Sequence, residues 1–134
     1  MWKIPRILVN RIFSHAQRSV PEECVGVLAG NDTTAHSWHP LTNTLHDARR
    51  FLADPAQQIA LFKEIRAAGK QVIAIYHSHP TGTAAPSTAD LEESNHPDTL
   101  NLIVALGIDG RMDMNGFLIR DGRAEPQEIE IIEA

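Results

Sequence analysis

Residues Gln71-Val72-Ile73-Ala74-Ile75-Tyr76 form a nearly unbroken apolar, β-branched run. That is the pattern of a strand buried on both faces. It continues to His79, where Pro80 cannot extend a central ladder, and Thr81 to Pro86 then reads as a loop. Around it the hydrophobic pattern predicts further elements. Pro5 at a helix N1 position, with Ile7, Leu8, Ile12 and Phe13 roughly on one face, predicts an opening helix to about Arg18, stopped by Pro21. Cys24 to Ala29 predicts a short apolar strand closed by Gly30-Asn31-Asp32. Residues 33 to 52 read as strand and loop, irregular over Leu41 to Thr44. Asp54-Pro55-Ala56-Gln57 is a helix start, with Asp at N-cap, Pro at N1 and Gln at N3. Ile59, Leu61, Phe62 and Ile65 supply its apolar stripe, and Gly69 its C′ position.

Ser87-Thr88-Ala89-Asp90 fits a capping box that opens a helix ending near His96-Pro97. Leu100 to Leu106 predicts another buried strand, and Ile108-Asp109-Gly110 a hairpin turn into Met112 to Ile119. Asp121-Gly122 predicts a second turn, and Glu128 to Ile131 alternates like an edge strand. The sum is a mixed sheet with about three helices, an α/β or α+β fold.

Composition narrows the class. At 134 residues a single domain spanning 1–134 is expected, large enough for its own core. The net charge of −5, with no Lys/Arg block, argues against nucleic-acid binding. Cys24 is the one cysteine, so an internal disulfide is excluded and a reducing compartment is suited. The first twenty residues are interrupted by Lys3, Arg6, Arg11 and Arg18, which fits neither a signal peptide nor a membrane span. A cytoplasmic location is the default expectation.

The candidate chemistry sits where the central strand ends. Side chains at i and i+2 of a strand share a face, so His77 and His79 can reach one metal together. Asp90, in the first turn of the Ser87 helix, can be folded back toward the strand end by the loop. Two imidazoles and one carboxylate leave a fourth tetrahedral position for water, which marks a catalytic zinc site rather than a structural one. A general base must then lie outside the ligand set. Glu22 and Glu23 are equivalent candidates on sequence alone. His36 and His39, with Trp38, read as decoration of a strand or loop, and His15, His46 and His96 as isolated residues. Cys24 reads as a small core residue. His-Glu-x-x-His and the Pro-Cys-x-x-Cys signature of zinc deaminases are absent.

Taken together, Glu23, His77-Ser78-His79-Pro80 and Ser87-x-x-Asp90 across a seven-residue gap resemble the JAMM (JAB/MPN) zinc metalloprotease family. Glu23-Cys24-Val25-Gly26 fits the family register and selects Glu23 over Glu22, and Phe51-Leu52-Ala53-Asp54-Pro55 resembles the small stand-alone bacterial members that act on ubiquitin-like sulfur carriers. The resemblance implies a JAB/MPN-like fold, with a cytidine-deaminase-like central sheet. It implies one Zn2+ per chain, held by His77, His79 and Asp90, with Glu23 as general base and then general acid. Ser87 would help stabilise the oxyanion, a role that competes with capping for the same side chain. Asn43 and Thr44 would line the substrate path. The implied activity is cleavage after the C-terminal Gly-Gly of a ubiquitin-like or sulfur-carrier protein, with no nucleic-acid or membrane partner. Cys24 departs from the small bacterial relatives, which tend to place cysteine one residue later. Two other functions compete: a non-catalytic JAMM-like binding module, and a RadC-like protein associated with DNA repair.

Overall fold

The computed structural model describes residues 1–107 and 112–133. The Ile108-Asp109-Gly110 turn expected from sequence lies outside the described residues. The chain runs β1 (Trp2–Pro5), α1 (Arg6–Ser19), β2 (Val25–Asn31), β3 (Thr34–Leu41), α2 (Pro55–Ala67), β4 (Gln71–His79), α3 (Thr88–Glu93), β5 (Leu100–Ala105), β6 (Asp113–Arg120), β7 (Arg123–Gln127) and β8 (Ile129–Ile132). The eight strands form one sheet in the order β7-β6-β5-β4-β2-β3-β1-β8. The pairs β4–β5, β1–β3 and β1–β8 are parallel, and the other neighbours are antiparallel. The mixed α/β architecture with three helices is the one the hydrophobic pattern predicts.

Helices α1 and α2 cover opposite faces of the sheet. Leu8, Val9, Ile12 and Ala16 of α1 pack with Cys24, Leu28, Tyr76, Leu100 and Leu102. Leu61 and Ile65 of α2 pack with Val25, Val27, Ala29 and Leu41, with Phe62 and Ile75 beside them. Two predicted stripe residues face solvent instead: Ile7 and Ile59 are each 58% exposed. Ile59 precedes Leu61 by two residues, about 200° around a helix, so both cannot point inward. The same spacing separates Ile7 from the buried Val9.

Several boundaries differ from expectation. Pro5 is the N-cap of α1 rather than N1, because residues 2–5 are drawn into the short strand β1. That strand pairs with β8 from Trp2–Ile129 to Pro5–Ile132, a partner no local pattern reveals. Strand β2 runs on to Asn31 through a register shift at Ala29/Gly30, and the turn falls at Asp32-Thr33. α3 stops at Glu93, short of His96, where Ser94 and Asn95 are weak helix formers and Pro97 disfavours helix at the residue before it. Strand β7, with Pro126 and mostly polar residues, was not foreseen and lies at an edge, where proline is tolerated. Asp54 does cap α2, accepting from the Gln57 N–H at 3.1 Å. Asp121 and Gly122 both have positive φ, as a type I′ hairpin turn requires.

Candidate metal centre

A parallel β4–β5 pair demands a crossover connection, and here the crossover carries the 80–87 loop and α3. It folds the first turn of α3 over the end of β4. Ser87 and Asp90 make both halves of the capping box: Ser87 Oγ accepts from the Asp90 N–H at 3.1 Å, and Asp90 Oδ2 accepts from the Ser87 N–H at 2.9 Å. The box locks the Asp90 carboxylate in one orientation, aimed at the two histidines.

His77 Nε2, His79 Nε2 and Asp90 Oδ2 converge. The two nitrogens are 3.3 Å apart and stand 3.0 and 3.1 Å from Asp90 Oδ2. Donors about 2.0–2.1 Å from a tetrahedral zinc stand roughly 3.3 Å from one another, so this spacing fits one such ion. All three residues are buried. His79 Nδ1 lies 2.8 Å from the Thr83 carbonyl, which can only accept. His79 therefore carries its proton on Nδ1 and presents the Nε2 lone pair, the tautomer a metal needs. The Phe51 ring stacks on His77 at 4.4 Å between centroids, 25° from parallel.

The electrostatics match this arrangement. Burial lowers the His77 pKa and outweighs the pull of Asp90, so the ring stays neutral. At His79 burial also opposes charge, but Asp90, the Thr83 carbonyl and Glu23 together raise the pKa. Burial alone would raise Asp90; its close contacts with the two histidines reverse it and hold the carboxyl well below its usual range.

Glu23 reaches the site through sheet register. Val25 pairs with His77 in the antiparallel β2–β4 ladder, so two residues further Glu23 stands opposite His79 on the same face. It is 2% exposed, and burial pushes its pKa up to about 8, against the lowering influence of His79. Its Oε1 is buried with no hydrogen-bond partner among the described residues. A buried acceptor left unpaired costs about 1–3 kcal/mol and calls for an explanation. A metal and its water in front of His79 would provide one. Glu22, by contrast, is at the surface and pairs with His46 at 2.8 Å.

Ser87 corrects an expectation. Capping uses a lone pair of its Oγ and leaves the hydroxyl hydrogen free, so capping and donating do not compete. Asn43 and Thr44 do not line the cleft beside the site. Asn43 is buried, and its amide is occupied entirely by main chain; Thr44 is exposed and donates to the Leu52 carbonyl. The cleft itself, about 190 Å3, is more apolar than polar, and Val25, Val27, Leu41 and Phe62 line it together with His77 and Asp90. His36 and His39 sit on β3 and contact Lys70 and Ser37, apart from the cluster. Cys24 is buried and unpaired, its thiol pushed up to about 11 by burial, which leaves it inert.

No local pattern marks Phe51 or the Thr83 carbonyl as neighbours of the histidines, or the Cys24 N–H as the partner of Ser78. Ser78 carries one usable signal: a hydroxyl in an otherwise apolar buried strand must find a partner. It does, accepting from the Cys24 N–H at 2.8 Å.

Residues 5–116 match the family described as prokaryotic homologs of the JAB domain. The CysO-cysteine peptidase of Mycobacterium tuberculosis is 28% identical over 128 residues, covering 94% of this chain and 88% of that protein. A Thermus thermophilus protein named as a probable TtuB-protein conjugate cleaving protease is 33% identical over 131 residues, 96% of this chain and 80% of its own. In structure, a Desulfitobacterium hafniense protein solved in solution superposes with a TM-score of 0.90 at 27% identity, over 100% of this chain and 94% of that one. With a family match over most of its length and peptidases among its relatives, this chain belongs to the prokaryotic JAB group of the JAMM (JAB/MPN) family.

Proposed function

We propose that this chain, one JAMM domain over residues 1–134, is a zinc-dependent peptidase or isopeptidase. It cleaves after the C-terminal Gly-Gly of a ubiquitin-like or sulfur-carrier protein, for example a carrier–cysteine adduct. The observation that carries the reading is the convergence of His77 Nε2, His79 Nε2 and Asp90 Oδ2 at 3.0–3.3 Å, the spacing of a three-ligand zinc site. The names of the two relatives, a CysO-cysteine peptidase and a protease of TtuB-protein conjugates, support the substrate class.

When bound, zinc would supply a Lewis acid and lower the pKa of its water to about 7. The chain supplies the rest. His77, His79 and Asp90 hold the ion, one per chain. Glu23 takes a proton from the attacking water on its unpartnered Oε1 and returns it to the leaving amine. With a metal cation bound beside it, the raised pKa of Glu23 would fall and the carboxylate would be ionised near neutral pH. The Ser87 hydroxyl, already fixed as a cap through its lone pair, donates to the oxyanion that develops on the substrate carbonyl. The mainly apolar cleft that His77 and Asp90 help to line shields the scissile bond from water and receives the extended tail. A cytoplasmic setting fits the single, buried and unpaired Cys24.

A sulfur carrier ending in Gly-Gly and fused to cysteine tests the function. Cleavage that requires zinc and both glycines is expected. Cleavage indifferent to chelation and to replacement of the glycines by alanine would sink the proposal.

A further inference from the structure

Six polar or charged residues are buried among the described residues: Glu23, Asn43, His77, Ser78, His79 and Asp90. Four are the candidate metal ligands and base. The other two, Asn43 and Ser78, each hydrogen-bond the main chain at residue 23 or 24. Asn43 Nδ2 donates to the Glu23 carbonyl at 3.1 Å, and Ser78 Oγ accepts from the Cys24 N–H at 2.8 Å.

Glu23 needs such support because it lies beyond the strand that carries it. Val25–Leu41 and Val25–His77 are the last pairs of the ladders on either side of β2. No described residue hydrogen-bonds the Glu23 side chain, and its Oε1 is unpartnered. The aim of the carboxylate therefore follows from where residues 22–24 are held. Four hydrogen bonds hold residues 23 and 24. The Glu23 N–H donates to the Asp47 carbonyl at 2.8 Å, and Asn43 grips the Glu23 carbonyl. Ser78 donates its N–H to the Cys24 carbonyl at 3.2 Å and takes the Cys24 N–H on its hydroxyl.

We propose that Asn43 and Ser78 form a two-sided clamp that positions Glu23 in front of His79. Ser78 stands between the two histidines in β4, so its side chain points to the opposite face of the sheet and touches neither metal nor substrate. Asn43 uses its full amide capacity. While Nδ2 binds the Glu23 and Arg50 carbonyls, Oδ1 accepts from the Leu45 and Leu52 N–H groups at 3.1 and 3.0 Å. It thereby joins Glu23 to the loop whose Phe51 stacks on His77. Both residues act through main chain alone and are positioning residues, not catalytic ones.

The clamp rests on the peptidase reading for its kinetic consequence but not for its existence, so two measurements separate them. On zinc-loaded protein, Ser78→Ala and Asn43→Asp should each keep one zinc per chain. Both should leave KM within about threefold and lower kcat by roughly 10–100-fold, the penalty of misplacing a reacting group by about an ångström. Asn43→Asp keeps the acceptor for Leu45 and Leu52 and removes the donors to the Glu23 and Arg50 carbonyls, so the loss reports on Glu23 when amide exchange at Leu45 and Leu52 stays unchanged. Ser78→Thr retains the hydroxyl and should recover most of kcat. On zinc-free protein, amide exchange at Glu23 and Cys24 should quicken in both damaging variants while β5 stays protected. Loss of zinc in parallel with turnover, unchanged kcat, or no recovery in Ser78→Thr would overturn the clamp. If the wild-type protein cleaves no Gly-Gly fusion, the proposed function fails and exchange alone decides: unchanged protection at Cys24 in Ser78→Ala overturns the clamp.

Discussion

Glu22 and Glu23 share one chemistry and have opposite surroundings. Glu22 pairs with His46 at the surface, whereas Glu23 is buried opposite His79. Sequence alone left the two equivalent, and the separation depends on sheet register, which a single chain does not display. The ligand set was more legible, because His-x-His on a strand and a Ser-x-x-Asp cap are local patterns whose geometry follows from backbone periodicity. Asn43 and Ser78 were not legible as partners of residues 23 and 24, since the hydrogen bonds that define them cross 20 and 54 residues of chain. Burial of Glu23 has a measurable consequence for stability. Its folded-state pKa is raised from 4.5 to about 8, first by burial and then by Asp90 and Asp47, against His79. The folded protein thus holds this proton more tightly than the unfolded chain, and stability falls as pH rises between those two values. Zinc-free Glu23→Gln, which keeps the shape without the charge, should match the wild type near pH 4 and exceed it above pH 8. Urea unfolding across that range checks the sign; a gap that opens instead toward acid contradicts it.

The elements best foreseen are those whose signals are local. Asp54-Pro55 opens α2, Ser87 opens α3, and Asp121-Gly122 turns β6 into β7. The ones missed, β1 and β7, are four and five residues long and exist because of partners elsewhere in the sheet. β2 shows how closely the elements beside the site are packed. Gly26 pairs with Tyr76, and a Cβ there would lie 2.3 Å from the tyrosine ring. Tyr76 is fully buried, and its hydroxyl is fixed by the Trp38 N–H at 2.9 Å and by His15 Nδ1 at 2.7 Å. The ring cannot withdraw without breaking these bonds. Gly26→Ala should therefore destabilise the protein by about 1–3 kcal/mol, read as a lower urea midpoint with an unchanged slope. An unchanged midpoint would show that the ring has room to move.

At the scale of the molecule, the two ends of the strand order approach each other at one corner. Strands β7 and β8 lie at opposite ends of the strand order, yet Glu128 alone separates them in the chain. The two ends meet where Trp2 Nε1 donates to Gln127 Oε1 at 3.1 Å and Ile129 packs over Gly116. The hydrophobic pattern yielded the fold class but not this approach of the two ends, which no periodicity encodes. Among the described residues no helix is long and apolar enough to cross a membrane. The strand order places β4 in the middle of the sheet, with both histidines at its end and Asp90 delivered by the crossover to β5. The central claim is that this convergence is a zinc site whose base lies outside the ligand set. Elemental analysis of wild-type, Asp90→Ala and Glu23→Gln protein, purified without chelator, tests it most directly. One zinc per chain in the wild type and Glu23→Gln, and none in Asp90→Ala, is the expected result. A wild type that takes up no zinc on supplementation, or equal loss in both variants, would contradict the account.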